Sequence, residues 1–424
     1  MKELLASYIL HLASRVPHLT EKRFLVILIT SDLALKTFRL WDPSKTYFDE
    51  GPFYIKAARD LLQGIATTNF EHPPLAKIIL AASIAIFGDN PFGWRLPSVL
   101  LGTIGVVFTY LLAKKLTGSK RIAALAAVLL SFEFGWFVSS RIATLEIFLA
   151  SFLLIGAYFA VSFWKKQSLV NLGLMGVFFG AALATKWSAV LLISWVFLFL
   201  LIFQKNNLVK KLTSLLVASL IILAIYLASY FFYFQGHSFS QFVDLHKSMY
   251  SYHTQTVPSV QKRVQEKSSP TDFYLFEPWT WVLDPMFPYY GEIKADKTKM
   301  VLLFFNPIIF WGGLVGLLVL IREQFKKVSP EKIFLVGAFL SQWLVWFFVG
   351  RYSLPYYLLA GIPFLVISFT LILQRVYGKS RSWFYVLVLG SIAAFAIFYP
   401  VLSGLSIPSL YAQLLTTFRE FKGN

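Results

Sequence analysis

Residues 170–203 read VNLGLMGVFFGAALATKWSAVLLISWVFLFLLIF, an apolar run with a single charged residue, Lys186. A membrane-spanning helix needs roughly 20 apolar residues, so this run is too long for one crossing. The ATKWSA segment in its middle therefore predicts a turn between two spans. A chain that contains such a run is expected to lie in a membrane.

The rest of the 424-residue chain repeats this composition. Hydrophobic residues make up 57% of it and charged residues only 14%, whereas soluble domains are about 25% charged. We therefore predict an all-α polytopic membrane protein with about 11 transmembrane helices. The predicted spans begin near Phe24, Phe92, Ile122, Ile142, Val170, Ala189, Leu212, Met300, Ile333, Tyr352 and Phe384.

The basic residues indicate how the chain is oriented. Short loops such as KKLTGSKR, QKNNLVKK and REQFKKVSPEK are rich in Lys and Arg, and they account for much of the net charge of +18. Because basic loops stay in the cytoplasm, we predict that the N-terminus lies inside. After eleven crossings the C-terminus would lie outside. Residues 1–23 are predicted to form an amphipathic segment on the cytoplasmic surface.

Two segments on the outer side are too long for simple connections. Residues 41–90 show helical periodicity and predict two surface helices within an N-terminal transmembrane module, 24–234. Residues 235–299 contain FEPWTWVLDPMFPYYGE, whose Trp, Tyr and Pro content predicts a folded cap at the membrane interface. Residues 300–424 form a second transmembrane module.

Asp49 and Glu50 stand side by side in the first outer segment. Two adjacent loop acids are commonly just hydrated charges. A carboxylate near a low-dielectric surface can instead have a raised pKa and act as a general base. The pair alone does not decide between these readings.

Four ionisable residues interrupt predicted spans or begin them on the outer side. Arg141, Lys186 and Arg351 are cations, and together they would suit a phosphate held at the lipid surface. Glu146 lies within a span and requires a partner. For Arg141, snorkelling to the interface is an equal alternative.

In the first span, Asp32, Lys36 and Arg39 are predicted to pair with one another as a structural set. The six histidines show no metal-ligand spacing, and His72 in EHPPLAK fits a loop hydrogen bond or a substrate contact. No cofactor is required, although Asp49 and Glu50 could hold a divalent metal. Without cysteine there is no disulfide, and without a phosphate-binding glycine loop there is no nucleotide site.

Six short motifs, in order, give the chain a family resemblance. YFDEGPFY, EHPPLAK, SSRIATLEIFL, GAALATKWSA, PWTWVLDPMFPYYGE with NPIIFWGGL, and RYSLPYYLLAGIPF run from residue 47 to residue 364. They resemble the motifs of the protein O-mannosyltransferase family, within the GT-C superfamily of glycosyltransferases that use polyprenyl-phosphate sugars. Two positions depart from the family pattern: Ala76 replaces a glycine, and Glu146 replaces the usual aspartate.

The resemblance implies a GT-C fold and an integral membrane enzyme. The donor would be a polyprenyl-phosphate sugar, mannose in this family, and the acceptor a Ser or Thr hydroxyl of a protein. The second outer segment is too short for the β-trefoil MIR domain of eukaryotic members, which implies a prokaryotic enzyme in the plasma membrane of a bacterium or archaeon. An oligomer is possible, and no nucleic acid is expected.

The same resemblance implies roles for individual residues. Asp49 would be the general base on the outer membrane face, and Glu50 would position the acceptor. Arg141 would bind the donor phosphate, helped by Lys186 and Arg351. Further substrate contacts would come from His72, Glu146, Trp187 and Trp279.

The chemistry of the reaction is consistent with these roles. A lipid phosphate is a good leaving group, so one base and one or more cations suffice, and a single displacement inverts the anomeric carbon. Two alternatives remain at this point. The acceptor could be a lipid or an envelope glycan, or the chain could be a transporter or flippase with Arg141, Glu146 and Lys186 along its path.

Overall fold

The computed structural model describes residues 20–256, 277–293, 296–349 and 353–416. Nearly all of the predicted amphipathic segment 1–23, together with Arg351, therefore lies outside the described residues. The fold is mostly helical, as predicted.

Residues 20–256, the first described range, contain twelve α-helices. They are α1 Glu21–Thr37, α2 Lys56–Leu62, α3 Leu75–Phe87, α4 Pro91–Thr117, α5 Lys120–Ser131, α6 Phe134–Ser139, α7 Leu145–Lys165, α8 Leu169–Leu183, α9 Ala189–Phe203, α10 Leu208–Ser229, α11 Phe231–Phe234 and α12 Phe239–Ser251. A π-helical turn, Glu50–Ile55, leads into α2. A second such turn, Tyr252–Thr256, follows α12.

The described part of the second half adds three strands and five helices. They are β1 Phe287–Ile293, β2 Lys297–Leu303, α13 Pro307–Gln324, α14 Pro330–Trp343, α15 Ile362–Lys379, α16 Arg381–Ser403, β3 Ser406–Pro408 and α17 Ser409–Thr416. Three 3-10 segments complete this half: Pro278–Leu283, Leu344–Phe348 after α14, and Pro355–Gly361 before α15.

Each of the eleven predicted spans contains a helix or two consecutive helices. Within the described residues, seven helical segments are long and apolar enough to cross a membrane, and three shorter helices are also apolar. The protein is therefore a multi-pass membrane protein, while the count of eleven spans stays a prediction. One boundary was wrong: residues 300–303 belong to β2, and the helix begins only at Pro307.

The small sheet is the main difference from an all-helical fold. Its order is β1-β2-β3 with both pairs antiparallel, and a bulge interrupts β1 between Pro288 and Tyr290. The buried side chains of β2 pack with Phe134, Phe137 and Phe395. Through these contacts the sheet packs against the helix ends, and it holds the described part of the cap in place there.

The predicted basic loops meet at one end of the helix bundle. Lys114 and Lys120 both pair with Glu21, and Lys165 links its loop to Glu331. The loop that carries Asp49 contacts the sheet at the other end, where Phe48 N donates to Tyr289 O at 2.8 Å. The candidate acids are therefore separated from the basic loops by the length of the bundle.

Two helices, α7 and α15, form the centre of the bundle. Other helices cover α7 on nearly all sides, so that residues 145–157 are all buried. Helices approach closely where side chains are small: a Cβ on Gly316 of α13 would lie 2.9 Å from the carbonyl oxygen of Ser368 in α15. The central position of α7 places Glu146, in its first turn, inside the protein.

Candidate active site

Asp49 has an unusual backbone conformation. Its φ of 64° and ψ of −27° lie in the left-handed region, which non-glycine residues rarely adopt. The conformation is maintained from both sides, because Tyr47 N donates to Glu50 Oε2 at 2.9 Å and Glu50 N donates to Tyr47 O at 3.2 Å. Strained residues of this kind cluster at functional sites.

Glu50 is fully buried, and both of its carboxylate oxygens are bonded to the protein. Arg95 donates from Nε to Oε1 and from Nη2 to Oε2, each at 3.0 Å. Ala143 N donates to Oε1 at 2.9 Å. A carboxylate with a two-pronged arginine contact is held firmly in one orientation. Glu50 thus connects the Asp49 loop to α4 and to the chain entering α7.

Arg95 was not among the site residues predicted from the sequence. Its guanidinium also donates to the backbone carbonyls of Leu40, Pro43 and Lys45, and it lies 4.2 Å from the centroid of the Tyr47 ring. The sequence contained one indication of its importance, a cation near the outer start of a predicted span. The same pattern made Arg141 a candidate. Arg95 shapes the whole loop before Asp49.

Unlike the Glu50 side chain, the Asp49 side chain is only partly buried, and its hydrogen bond to Tyr356 is long. Tyr356 Oη donates to Asp49 Oδ2 over a long 3.5 Å. Burial, followed by the negative charge of Glu146, raises the pKa of Asp49 to about 7, against the opposing effect of Lys186. An acid with a pKa near neutrality can accept a proton efficiently at neutral pH.

Glu146 has the partner that a carboxylate in a span requires. Lys186 Nζ lies 2.9 Å from Glu146 Oε1, both side chains are buried, and Nζ lies 4.3 Å from the centroid of the Tyr357 ring. The pair borders a narrow cleft. We call it the Lys186 cleft, and its polar and aromatic lining consists of Glu146, Lys186, Ser188, Gln342, Trp346, Tyr356 and Tyr357.

Arg141 lies apart from this ion pair. Its Nη1 donates to the carbonyls of Lys36 and Phe38, and its guanidinium lies 5.4 Å from the Phe137 ring centroid. These carbonyls belong to the C-terminal end of α1, where backbone acceptors lack helical partners. Within the described ranges, no carboxylate pairs with Arg141. Its contacts are those of a helix cap, and its phosphate role stays a prediction.

The structural set predicted in α1 forms only in part. Lys36 Nζ lies 2.7 Å from Asp32 Oδ2, and Thr103 Oγ1 donates to the same oxygen at 2.6 Å. The prediction was wrong for Arg39, which pairs with Asp42. Arg39 follows the end of α1 and has a positive φ, so its side chain leaves the helix face that carries the other two.

His72 and Trp187 lie in a second, aromatic cluster next to Lys186. The His72 ring centroid is 5.4 Å from that of His253, which in turn is 6.2 Å from Trp187. Trp187 Nε1 donates to Tyr226 Oη at 2.9 Å. Trp279 is exposed on the cap turn Pro278–Leu283. In the part of the chain that the structure describes, no group of three acidic or histidine side chains could hold a metal.

Comparison with known proteins finds similarity to the family whose motifs the chain resembles. Residues 71–231 match the family described as dolichyl-phosphate-mannose-protein mannosyltransferase. A polyprenol-phosphate-mannose–protein mannosyltransferase of Mycobacterium tuberculosis is 26% identical, with 79% of this chain and 78% of the relative covered. The family match includes Arg141, Glu146 and Lys186 but begins after Asp49.

Two solved structures share the fold. The Saccharomyces cerevisiae protein O-mannosyltransferase Pmt1-Pmt2 complex bound to the sugar donor matches with a TM-score of 0.76 at 15% identity, covering 91% of this chain and 90% of that one. ArnT of Cupriavidus metallidurans bound to undecaprenyl phosphate matches with a TM-score of 0.65 at 16% identity. The match covers 95% of this chain and 67% of the ArnT chain. The resemblance to the protein O-mannosyltransferase family is thus confirmed, and the chain is a polytopic membrane glycosyltransferase of the GT-C fold.

Proposed function

We propose that this glycosyltransferase moves mannose from a polyprenyl-phosphate carrier to Ser or Thr hydroxyls of proteins, with Asp49 as general base. The observation that carries the proposal is the position of Asp49. It is a half-buried carboxylate with a pKa of about 7, joined through Tyr356 to a cleft that contains a buried lysine. The names of the relatives supply the sugar, the lipid carrier and the protein acceptor.

The reaction needs one bond made and one broken. The acceptor oxygen attacks the anomeric carbon, the bond from that carbon to the phosphate oxygen breaks, and polyprenyl phosphate leaves with both bonding electrons. Asp49 takes the hydroxyl proton as the new bond forms. A single displacement inverts the anomeric centre and requires no covalent enzyme intermediate.

Lys186 is the cation that we assign to the departing phosphate. Charge develops on that phosphate as the bond breaks, and a fixed cation in a water-poor cleft stabilises it. Glu146 keeps the ammonium group in place until the phosphate arrives. Arg141 remains a second candidate, because its Nε–H makes no hydrogen bond within the described ranges. The roles proposed for Glu50 and Arg351 are to position the acceptor loop and to assist at the phosphate.

The active site is proposed to face the outside of the cell. It lies at the bundle end opposite the basic loops around Glu21 and Glu331, and basic loops stay in the cytoplasm. The N-terminus would then lie inside. This orientation gives the enzyme access to secreted proteins and to lipid-linked donor in the outer leaflet.

The decisive experiment compares Asp49→Asn with the wild type in lipid nanodiscs. The donor is radiolabelled mannosyl-phosphoryl-polyprenol, and label is followed into protein and into lipid extract. We expect label in protein for the wild type and a loss of at least about 100-fold for Asp49→Asn, since a general base contributes about 10²–10⁴-fold.

Asp60→Asn is the matched control, because Asp60 lies nearby in α2 of the same outer segment but pairs with Lys56 at the surface. It should retain wild-type turnover. Undiminished turnover in Asp49→Asn would refute the base assignment. Label confined to the lipid extract would instead support a lipid acceptor.

A further inference from the structure

Gln342 is an uncharged polar residue inside a membrane-spanning segment, and it has no role in the proposed proton transfer or phosphate binding. It lies near the end of α14, is 2% exposed, and lines the Lys186 cleft. The helical segment that carries it, Pro330–Phe348, is one of the seven long enough to cross a membrane. Polar side chains in such segments are costly and are usually functional.

The hydrogen bonds of Gln342 leave most of its amide unused. A glutamine amide offers two N–H donors and one oxygen acceptor. Within the described residues its one hydrogen bond runs from Nε2 to Ser341 Oγ, at a long 3.4 Å. Burying an amide without partners costs free energy, so this amide is suited to a polar ligand that enters the cleft.

The neighbouring aromatic residues narrow the kind of ligand. Trp346 and Tyr357 line the same cleft, with ring centroids 4.5 Å apart and planes inclined by 31°. Pockets that combine an apolar aromatic wall with a few placed polar groups fix the orientation of small ligands. A sugar ring matches this wall, because it presents C–H groups on its faces and hydroxyls around its edge.

We propose that Gln342 determines the sugar specificity of the enzyme: its amide hydrogen-bonds one hydroxyl of the donor sugar while Trp346 and Tyr357 pack against the ring. The proposal rests on the proposed function, in which the donor phosphate lies at Lys186 in the same cleft. Gln342 takes no part in proton transfer. Its contribution is recognition of one hydroxyl position.

The test combines a variant with altered donors. Mannosyl-phosphoryl-polyprenol and a set of monodeoxy analogues, one for each non-anomeric hydroxyl, are assayed with the wild type and with Gln342→Met. For the wild type we expect one analogue to lose roughly 10- to 100-fold in kcat/KM, because the buried amide loses its partner. In Gln342→Met that analogue and the parent donor should become equivalent.

A loss of activity from misfolding would lower all donors alike, and so would a purely structural role. Uniform loss across the donor series in a variant with the wild-type melting temperature would overturn the proposal, as would unchanged discrimination in Gln342→Met. Should that variant fail to fold, Gln342→Asn retains the amide but shortens its reach. It should then reduce discrimination at the same hydroxyl, and unchanged discrimination there would also overturn the proposal.

Gln204→Met provides the matched control. Gln204 is another buried glutamine at a helix end, but it lies at the basic end of the bundle beyond α9. Its donor discrimination should equal that of the wild type. Failure of Asp49→Asn to reduce turnover would refute the proposed function, whereas uniform loss in Gln342→Met with an inactive Asp49→Asn would refute only this inference.

Discussion

Two buried carboxylate–cation pairs lie close to Asp49, and they are built differently. Glu50 receives two contacts from Arg95 and two from backbone N–H groups, so both of its oxygens are occupied. Glu146 and Lys186 share one contact of 2.9 Å beside a cleft. The first pair is saturated by the protein and serves as scaffold. The second borders a cleft, and it is the pair that we propose to meet the substrate.

The largest expected effect comes from breaking the saturated pair. Arg95→Met leaves the Glu50 carboxylate buried without a counter-charge, which costs about 3–5 kcal/mol of unfolding free energy. We expect a large fall in thermal stability in detergent. Arg59→Met removes a similar arginine contact to Asp89 at the exposed surface and should cost less than about 1 kcal/mol. Equal losses in the two variants would contradict the scaffold role of Arg95.

The open pair should affect activity more than stability. Lys186→Gln retains a donor to Glu146 but removes the charge proposed to meet the phosphate. Loss of one fixed group that stabilises developing charge typically lowers kcat by about 100- to 1,000-fold, and we expect a fall in this range. Lys114→Gln, at the basic end of the bundle, should leave kcat unchanged. A Lys186→Gln enzyme with wild-type kcat would remove Lys186 from the mechanism.

The pH dependence of the rate tests Asp49 as the base and tests the effect of the Glu146 charge on the pKa of Asp49. Asp49 accepts a proton only when ionised, and its pKa is raised to about 7. The rate should therefore rise with pH to a plateau above about 7 and fall about tenfold per unit below it. Because the negative charge of Glu146 raises that pKa, Glu146→Gln should move the inflection to lower pH. A profile that is flat between pH 5 and 8 would contradict a titrating Asp49.

A third buried pair, in α1, provides the smallest test. Asp32 Oδ2 receives both Lys36 and the Thr103 hydroxyl, so Thr103→Val removes one contact and leaves the ion pair. We expect a loss of about 1.5 kcal/mol, the lower end of the range for a hydrogen bond to a charged group. Thr109→Val is the control, since the buried Thr109 hydroxyl has no partner among the described residues. A larger loss of stability in Thr109→Val than in Thr103→Val would contradict the stabilising role of the Thr103–Asp32 hydrogen bond.

Much of the fold follows from local sequence. Apolar runs located the helices because a bilayer demands long apolar helices, and basic loops were predicted to lie together because their distribution between the two ends is so uneven. The error near Met300 has a local cause. A short apolar run suits a buried strand as well as a helix, and only pairing with β1 and β3 decides for β2.

The site could be predicted only as a set of candidates. Arg95 and Arg141 both stand near the outer end of a predicted span, and nothing local tells them apart. The structure turns Arg95 toward Glu50 and Arg141 toward the carbonyl end of α1. Gln342 gave no signal, because a single amide in a long apolar segment has no distinctive spacing.

The sequence by itself determined that this protein lies in a membrane, which loops carry its charge and which acids and cations were available for chemistry. These properties depend on composition and on spacing within one segment. The tertiary structure alone decided which acid is saturated by protein contacts and which borders a cleft. Coulombic attraction and hydrogen bonding depend on distances in space, and the partners of Glu50 and Glu146 lie 45 and 40 residues away along the chain.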